Sequence, residues 1–415
     1  MTTAAVAGAP RRHAEARPPL PARARHERRA AVWLHRWTGL LLGLLLAVIG
    51  LSGSALVFRD EIDRALNPQL LVVAPRGGRR PLDQALGAVA ARYPGEPAVR
   101  VRMPRRADAS YEVWLGARAG GAATPGRYVY VDPYTARVLG ARRPAEFLTG
   151  WLFELHAHLL SGELGHQIAG WAAWGLAALA ASGLVAWWPG RRKLAVALTV
   201  ARGRGARRRV FDLHRAGGFY VSALLLLSAV TGASLVFHEA FEGALRAAFR
   251  SPPPPPARVS TAPLALGALP VDSALAAAER ALPGGLVSYV YLPTAPGQPV
   301  QVRKRRPGEL HPNGKTMVWV DPRSNAVLAA SDGLAAPAGA RAYSALYPLH
   351  IGSAGGLPMR ALLVAGGLAP AALLVSGVVM WRARRRGSSP ASVWRRSGEQ
   401  RAKIFYGDES RMTAG

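Results

Sequence analysis

Hydrophobic and polar positions alternate along this chain on two scales. On the longer scale, four stretches carry no charged side chain over about the 20 residues that a bilayer-crossing helix needs. They are Trp37–Phe58, Ile168–Trp188, Ala216–Phe237 and Ala361–Trp381. They predict four membrane-spanning helices, with a long segment, a short one and another long one between them. On the shorter scale, the two long segments alternate with period two, as half-buried strands do. Val99-Arg100-Val101-Arg102 and Tyr111–Leu115 show it in the first. A helical pattern after a proline precedes the strands in each, Leu82–Arg92 in one and Val271–Leu282 in the other. Each segment then closes on a hairpin signature. Tyr128–Val131, Asp132-Pro133 and Val138-Leu139 match Met317–Val320, Asp321-Pro322 and Val327-Leu328, with Asp-Pro opening the turn. Each long segment therefore predicts a small α+β module. Pro252–Pro256 reads as a stiff spacer leading into the second.

These patterns divide the chain into nine parts. A tail at 1–32 precedes a first span at 33–58, a first module at 59–145, and a short helix plus second span at 146–188. A loop at 189–210 precedes a third span at 211–238, a second module at 239–340, a short helix plus fourth span at 341–381, and a tail at 382–415. The expected fold is an all-α four-helix transmembrane bundle, internally duplicated, with two α+β modules on one side.

Composition fits no single soluble globule. Half of the 415 residues are hydrophobic, yet the formal net charge is +29. Cysteine is absent, which excludes disulfides, thiolate catalysis, iron–sulfur clusters, Cys-based zinc sites and c-type haem attachment. So basic a chain invites a nucleic-acid reading, but the placement of the charges points elsewhere. Residues 1–34, 189–210 and 382–415 together hold 24 basic and 5 acidic side chains, whereas loops 59–165 and 239–357 hold 26 and 18. Short basic segments stay in the cytoplasm. Both termini are therefore expected inside and both modules outside, with no nucleic-acid partner. Trp37, Trp187, Trp188 and Trp381 mark span ends, where interfacial aromatics belong. The first apolar run begins at residue 31 and is too long for the core of a signal peptide.

The chain also repeats itself. A shift of 179 places His35-Arg36 on His214-Arg215, Ser52-Gly53 on Thr231-Gly232, and Leu56-Val57-Phe58 on Leu235-Val236-Phe237. A shift of 194 places Leu155-His156 on Leu349-His350, Ser182-Gly183 on Ser376-Gly377, and Trp187 on Trp381. His35 and His214 thus share the cytoplasmic end, and His156 and His350 share the outer end. Ser161-Gly162 and Gly352-Ser353 separate the outer two from their spans, so each is expected on a short helix at the rim. Ionisable side chains in a bundle interior are costly and mark function. Two matched pairs are what paired axial ligation of haem iron requires, and neutral imidazole is a suitable ligand. In an up-down-up-down bundle, spans one and three face each other, as do two and four.

Every span carries Ser-Gly or Thr-Gly near its exit end. Such residues admit either a flat macrocycle or a neighbouring helix, and Gly39 and Gly43 fit both accounts. Arg36 and Arg215 have two readings: partners of haem propionates, or further positive-inside charges. His158, His166 and His238 lack repeat partners and are accessory candidates; His158 and His238 are the substitutes for the outer ligands. His156-x-His158 is a possible zinc or copper chelate without a recognisable third ligand. His13, His26 and His311 lie in polar segments and receive no role. The basic run Arg303–Arg306 reads as a solvated strand or as an attractor of anions.

His-Arg-Trp-Thr-Gly-Leu at 35–40, Ser-Gly-Ser-Ala-Leu-Val-Phe at 52–58, Ala-Trp-Trp-Pro at 186–189 and Leu-His-Ile-Gly at 349–352 resemble the PepSY-associated transmembrane helix family. Its members are often called iron-regulated or PiuB-type membrane proteins, and some are ferric-siderophore reductases. The Val-Asp-Pro…Val-Leu endings resemble PepSY modules. The resemblance runs from about residue 33 to 386. It implies two periplasmic PepSY modules on four inner-membrane spans. It also implies, for some members, a b-type haem protein, with His35, His156, His214 and His350 in the family's histidine positions.

The expected function is electron transfer through two haem b groups to a periplasmic ferric chelate. No G-x-G-x-x-G follows a strand and no P-loop is present, so no nicotinamide, flavin or ATP site is visible. Electrons would come from a quinol or a cytoplasmic protein. The alternative is a non-redox membrane protein whose PepSY modules bind or regulate a peptidase or uptake component. A transporter is a third reading, weakened because the repeats are parallel and only Pro370 interrupts a span.

Overall fold

Uncharged sequence sets the middle of each span, but helix-forming flanks carry the helices further. In the computed structural model, which describes residues 22–116, 125–201, 203, 205–252, 270–295 and 297–387, α1 runs over Ala22–Leu56. Short helices α2 (Arg59–Leu66), α3 (Pro68–Leu71) and α4 (Leu82–Arg92) follow. Strands β1 (Ala98–Arg102), β2 (Tyr111–Gly116), β3 (Pro125–Val131) and β4 (Val138–Arg142) come next, then α5 (Leu148–His158) and α6 (Gly162–Trp187). After α7 (Leu194–Ala197) the order recurs: α8 (Gly205–Val236), α9 (His238–Ala248) and α10 (Val271–Ala281). Strands β5 (Leu286–Tyr291), β6 (Val300–Arg305), β7 (Thr316–Val320) and β8 (Val327–Ser331) lead to α11 (Ala338–His350) and α12 (Gly356–Gly387). The spacer expected at Pro252–Pro256 lies, apart from Pro252, outside the described residues.

Four of these helices, α1, α6, α8 and α12, are long and apolar enough to cross a membrane. α1, α8 and α12 begin or end in Arg-rich turns such as Arg207–Arg209 and Arg382–Arg385 and so outrun the uncharged stretches, while α6 begins earlier, at Gly162. Around the bundle α1 packs on α6 and α12, and α8 packs on the same two. Spans one and three are therefore diagonal, as are two and four. Close backbone approach sets the α1–α12 contact: a Cβ on Gly50 or Gly367 would strike the other helix. Gly43 does the same for Leu374, where an added Cβ would lie 2.5 Å from Cδ1. The Gly39/Gly43 pair thus serves helix packing.

The strands do not form two separate modules. They make one eight-stranded antiparallel sheet in the order β4-β3-β2-β1-β5-β6-β7-β8. β1 and β5 join its halves through Arg100↔Tyr291, Val101↔Val290 and Arg102↔Tyr289. Each four-stranded half alone would leave this strand unpaired, with a row of open N–H and C=O groups. Helices α4 and α10 cover one face. Leu82, Ala85, Val89, Val271, Ala274 and Ala278 meet Val101, Val113, Val129, Val290, Val302 and Val318 in one continuous core. Each Val and Leu among them contributes about 1.5–3 kcal/mol on burial. The two helix starts cap each other. The Asp272 carboxylate accepts from the Leu82 and Asp83 N–H at 2.9 and 2.8 Å. Asp83 accepts from Val271 N–H at 2.8 Å, which also matches negative charge to helix N-termini.

The basic run Arg303–Arg306 is not simply a solvated strand: of the four only Arg305 is exposed. Lys304 is fully buried, donating to Glu279 and to the Leu282 carbonyl at 2.5 Å each. Arg306 pairs with Asp332. Alternation places Lys304 on the helix-covered face, and its length lets the ammonium reach a carboxylate at the rim.

Candidate functional site

His35 sits on α1 and His214 on α8, near the end of the bundle where α1 begins and α12 ends. Their ring centroids are 6.1 Å apart with planes at 85°. His156 lies in the last turn of α5 and His350 ends α11, at the end facing the sheet. Their centroids are 6.2 Å apart with planes at 43°. Each pair is thus formed across the diagonal. Along α8, His214 and Thr231 are 17 residues apart, a rise of about 25 Å. The two pairs therefore lie near opposite faces of a hydrocarbon layer about 30 Å thick.

The Ser-Gly and Thr-Gly pairs receive the imidazoles. A Cβ on Gly53 would fall 2.7 Å from His156 Cε1, and one on Gly183 would fall 2.9 Å from His35 Cε1. At Gly232 and Gly377 the distances to His350 and His214 Cε1 are 3.3 and 3.6 Å. Each of these small residues lies against the edge of a histidine ring.

Hydrogen bonds fix the tautomer of all four. His35 Nδ1–H donates to the Leu179 carbonyl and His156 Nδ1–H to the Ile49 carbonyl, both at 2.9 Å. The Ser376 hydroxyl donates to the Ala372 carbonyl at 2.9 Å, so its lone pair accepts from His214 Nδ1–H at 2.8 Å. Thr231 donates to Leu227 at 2.7 Å and accepts from His350 Nδ1–H at 3.0 Å. With Nδ1 protonated in a neutral ring, Nε2 carries the free lone pair. No described protein group bonds to any of these Nε2 atoms. Among the outer two, burial lowers the His156 pKa, opposed by its bond to Ile49. Burial, together with the neighbouring His156 ring, pushes His350 down to about 4. Both are therefore neutral, as metal ligation requires.

Two imidazoles on opposite sides of one metal, with metal–nitrogen bonds of about 2 Å, have centroids about 6 Å apart. Each ring plane contains its metal–nitrogen axis, so either interplanar angle is compatible. Among the described residues no group of three or more His, Cys, Asp or Glu is placed to hold a metal ion. Paired imidazoles with no third protein ligand suit a metal that brings its own equatorial ligands, and the residues present therefore fit a bis-histidine haem.

The other candidates divide. His158 pairs with Glu154 at 3.1 Å and lies 5.1 Å from the His166 ring, whose Nδ1 donates to the Ala157 carbonyl at 3.1 Å. These two form a separate cluster on α5 and α6. His238 is exposed at the start of α9. Arg215 is committed to Asp212 at 3.0 Å and to the Val196 and Thr199 carbonyls at 2.7 and 3.0 Å. It thereby anchors the loop after α6 rather than reaching into the bundle. Arg36 is exposed, with its guanidinium 5.4 Å from the centroid of Trp37.

His311 corrects the sequence expectation. It is only 7% exposed and stacks on Tyr347 at 5.0 Å. Burial, then the charges of Arg303, Lys315, Arg105 and Arg305, push its pKa down to about 3. The polar run His311-Pro312-Asn313-Gly314 looks like a free turn in sequence. The signal that could have placed it is Tyr347, one helical turn before His350.

The family model described as PepSY-associated TM region matches residues 32–384 of the chain. No curated protein matches it.

Proposed function

The chain belongs to the PepSY-associated TM region family, and from that premise we propose that it is a b-type haem protein of the bacterial inner membrane that reduces a periplasmic ferric chelate. The observation that carries this reading is the pair of histidine pairs, at 6.1 and 6.2 Å, with every Nδ1 engaged. Bound haem iron supplies one-electron transfer. His35 and His214 would hold one group, and His156 and His350 the other. The Leu179 and Ile49 carbonyls and the Ser376 and Thr231 hydroxyls orient the rings and raise the basicity of the ligating nitrogens. The apolar spans keep water from the path between the pairs.

The charge asymmetry of the short segments supports cytoplasmic tails and a periplasmic sheet. The recurring element order supports an internal duplication with two PepSY modules, fused here into one sheet. Iron(III) takes one electron to become iron(II), which leaves its chelator more readily. A quinol or a reduced cytoplasmic protein would supply that electron at the His35–His214 end.

The test is reoxidation of dithionite-reduced protein by ferric chelates, ferric citrate among them, followed in the haem absorption band. The parent is expected to reoxidise, and His156→Ala and His350→Ala are expected to lose the reaction. Equal rates in parent and variants would remove the outer pair as the exit site. Protein purified without a haem band would leave the partner-binding reading in its place.

A further inference from the structure

Between the sheet and the bundle lies a cleft of about 260 Å³, walled by Arg303, His311, Asn313 and Lys315 from the sheet side, Tyr347 from α11 and Leu235 from the end of α8. Its charge is one-sided. Arg303 spends its guanidinium on the Gly314 carbonyl at 2.9 and 2.7 Å, with no carboxylate partner among the described residues. Arg105 reaches the Asn313 side chain. Lys315 makes no ion pair among the described residues. The carboxylates nearby are already taken: Glu242 pairs with Arg246 at 2.5 Å, and Asp60 with Arg102 at 3.0 Å. The depressed His311 pKa is a second sign of the same field, since burial and these cations together oppose its protonation. Buried or half-buried cations without counterions are costly unless an anion completes them.

We propose that this cleft binds a compact, multiply anionic chelate, a ferric polycarboxylate of the citrate type, and so selects the substrate of the outer histidine pair. The inference rests on the ferric-reductase reading above. Size and charge both argue for it. The cleft is smaller than the roughly 300–1,000 Å³ that encloses drug-sized ligands, so a bulky siderophore does not fit inside. The cations repel a positively charged complex and attract carboxylates, which Arg and Lys hold by charge-assisted hydrogen bonds. Tyr347 precedes His350 by one turn on α11, a rise of about 4.5 Å. A chelate seated against Tyr347 therefore lies beside the helix that carries the outer ligand.

The experiment uses full-length protein in phosphatidylcholine nanodiscs and gallium(III) citrate, a redox-inert stand-in, with binding followed by calorimetry. Saturable binding is expected in the parent. It should weaken about tenfold in Lys315→Ala and be largely restored in Lys315→Arg. Arg303→Gln should weaken it similarly. A cationic gallium trihydroxamate complex should not compete. Absence of saturable binding in the parent, or equal affinity in Lys315→Ala, overturns the assignment. Loss of binding in phosphatidylglycerol nanodiscs also overturns it, because the cleft then takes a lipid headgroup. The haem absorbance of the same samples tests the underlying reading separately. Haem-free protein that binds gallium citrate would refute electron transfer and keep this site. Haem-replete protein that does not bind would refute this site alone.

Discussion

Gly53→Ala is the most informative single substitution, because the structure supplies its size. The new methyl would stand 2.7 Å from His156 Cε1 and 3.1 Å from Nδ1, where ordinary contact begins at 3.4 Å. The ring must therefore retreat by about 0.7 Å, the difference between 3.4 and 2.7 Å. That movement takes Nδ1 from 2.9 Å toward about 3.6 Å from the Ile49 carbonyl, beyond a hydrogen bond. The lost bond is worth about 1 kcal/mol. A displaced outer-shell partner typically costs about 10–100-fold in metal affinity. Gly377→Ala is the internal control, since its methyl would meet His214 Cε1 at 3.6 Å, an ordinary contact. Gly183→Ala at 2.9 Å and Gly232→Ala at 3.3 Å should fall between the two in order. The assay is haem content per protein by pyridine haemochrome, with a redox titration to separate the two sites. Gly53→Ala is expected to deplete or shift the outer haem, and Gly377→Ala to leave the inner haem at parent level. If all four variants load equally, or if Gly377→Ala is the most damaged, the glycines do not seat the ligands.

Two further outcomes test other parts of the account. A topology reporter placed within 195–206 should read as cytoplasmic and one near Gly333 as periplasmic; the reverse result would invert both histidine pairs. His311 is held neutral, so as pH falls below its ordinary value of about 6.5 the unfolded chain takes up a proton that the folded chain does not, and stability is lost progressively toward pH 3. From pH 6.5 to 5 this amounts to about 2 kcal/mol. Amide protection factors in β6 and β7, referred to the intrinsic exchange rate at each pH, should fall accordingly in the parent and less in His311→Gln, and identical pH profiles for the two would refute the argument.

The sequence by itself determined the span count, the long helix and hairpin strands of each half, and the four histidines that form pairs. Charge-free length, period-two alternation and the 179- and 194-residue shifts are one-dimensional signals, and each is local enough to survive without contacts. Leu82–Arg92 appears as a helix with the same bounds the pattern predicts. Only the tertiary structure decided what meets what. Nothing in β1 or β5 says that their edges pair with each other, because backbone hydrogen bonds carry no residue code and the partners are far apart in the chain. The Ser-Gly and Thr-Gly pairs left macrocycle and helix packing open in sequence, and the fold sets an imidazole edge against each glycine, a contact between two helices far apart in the chain. Lys304 and His311 look like surface residues in sequence. They are buried because a strand's pleat and a neighbouring helix enclose them, and burial of a polar group is set by its neighbours rather than by its own residue type.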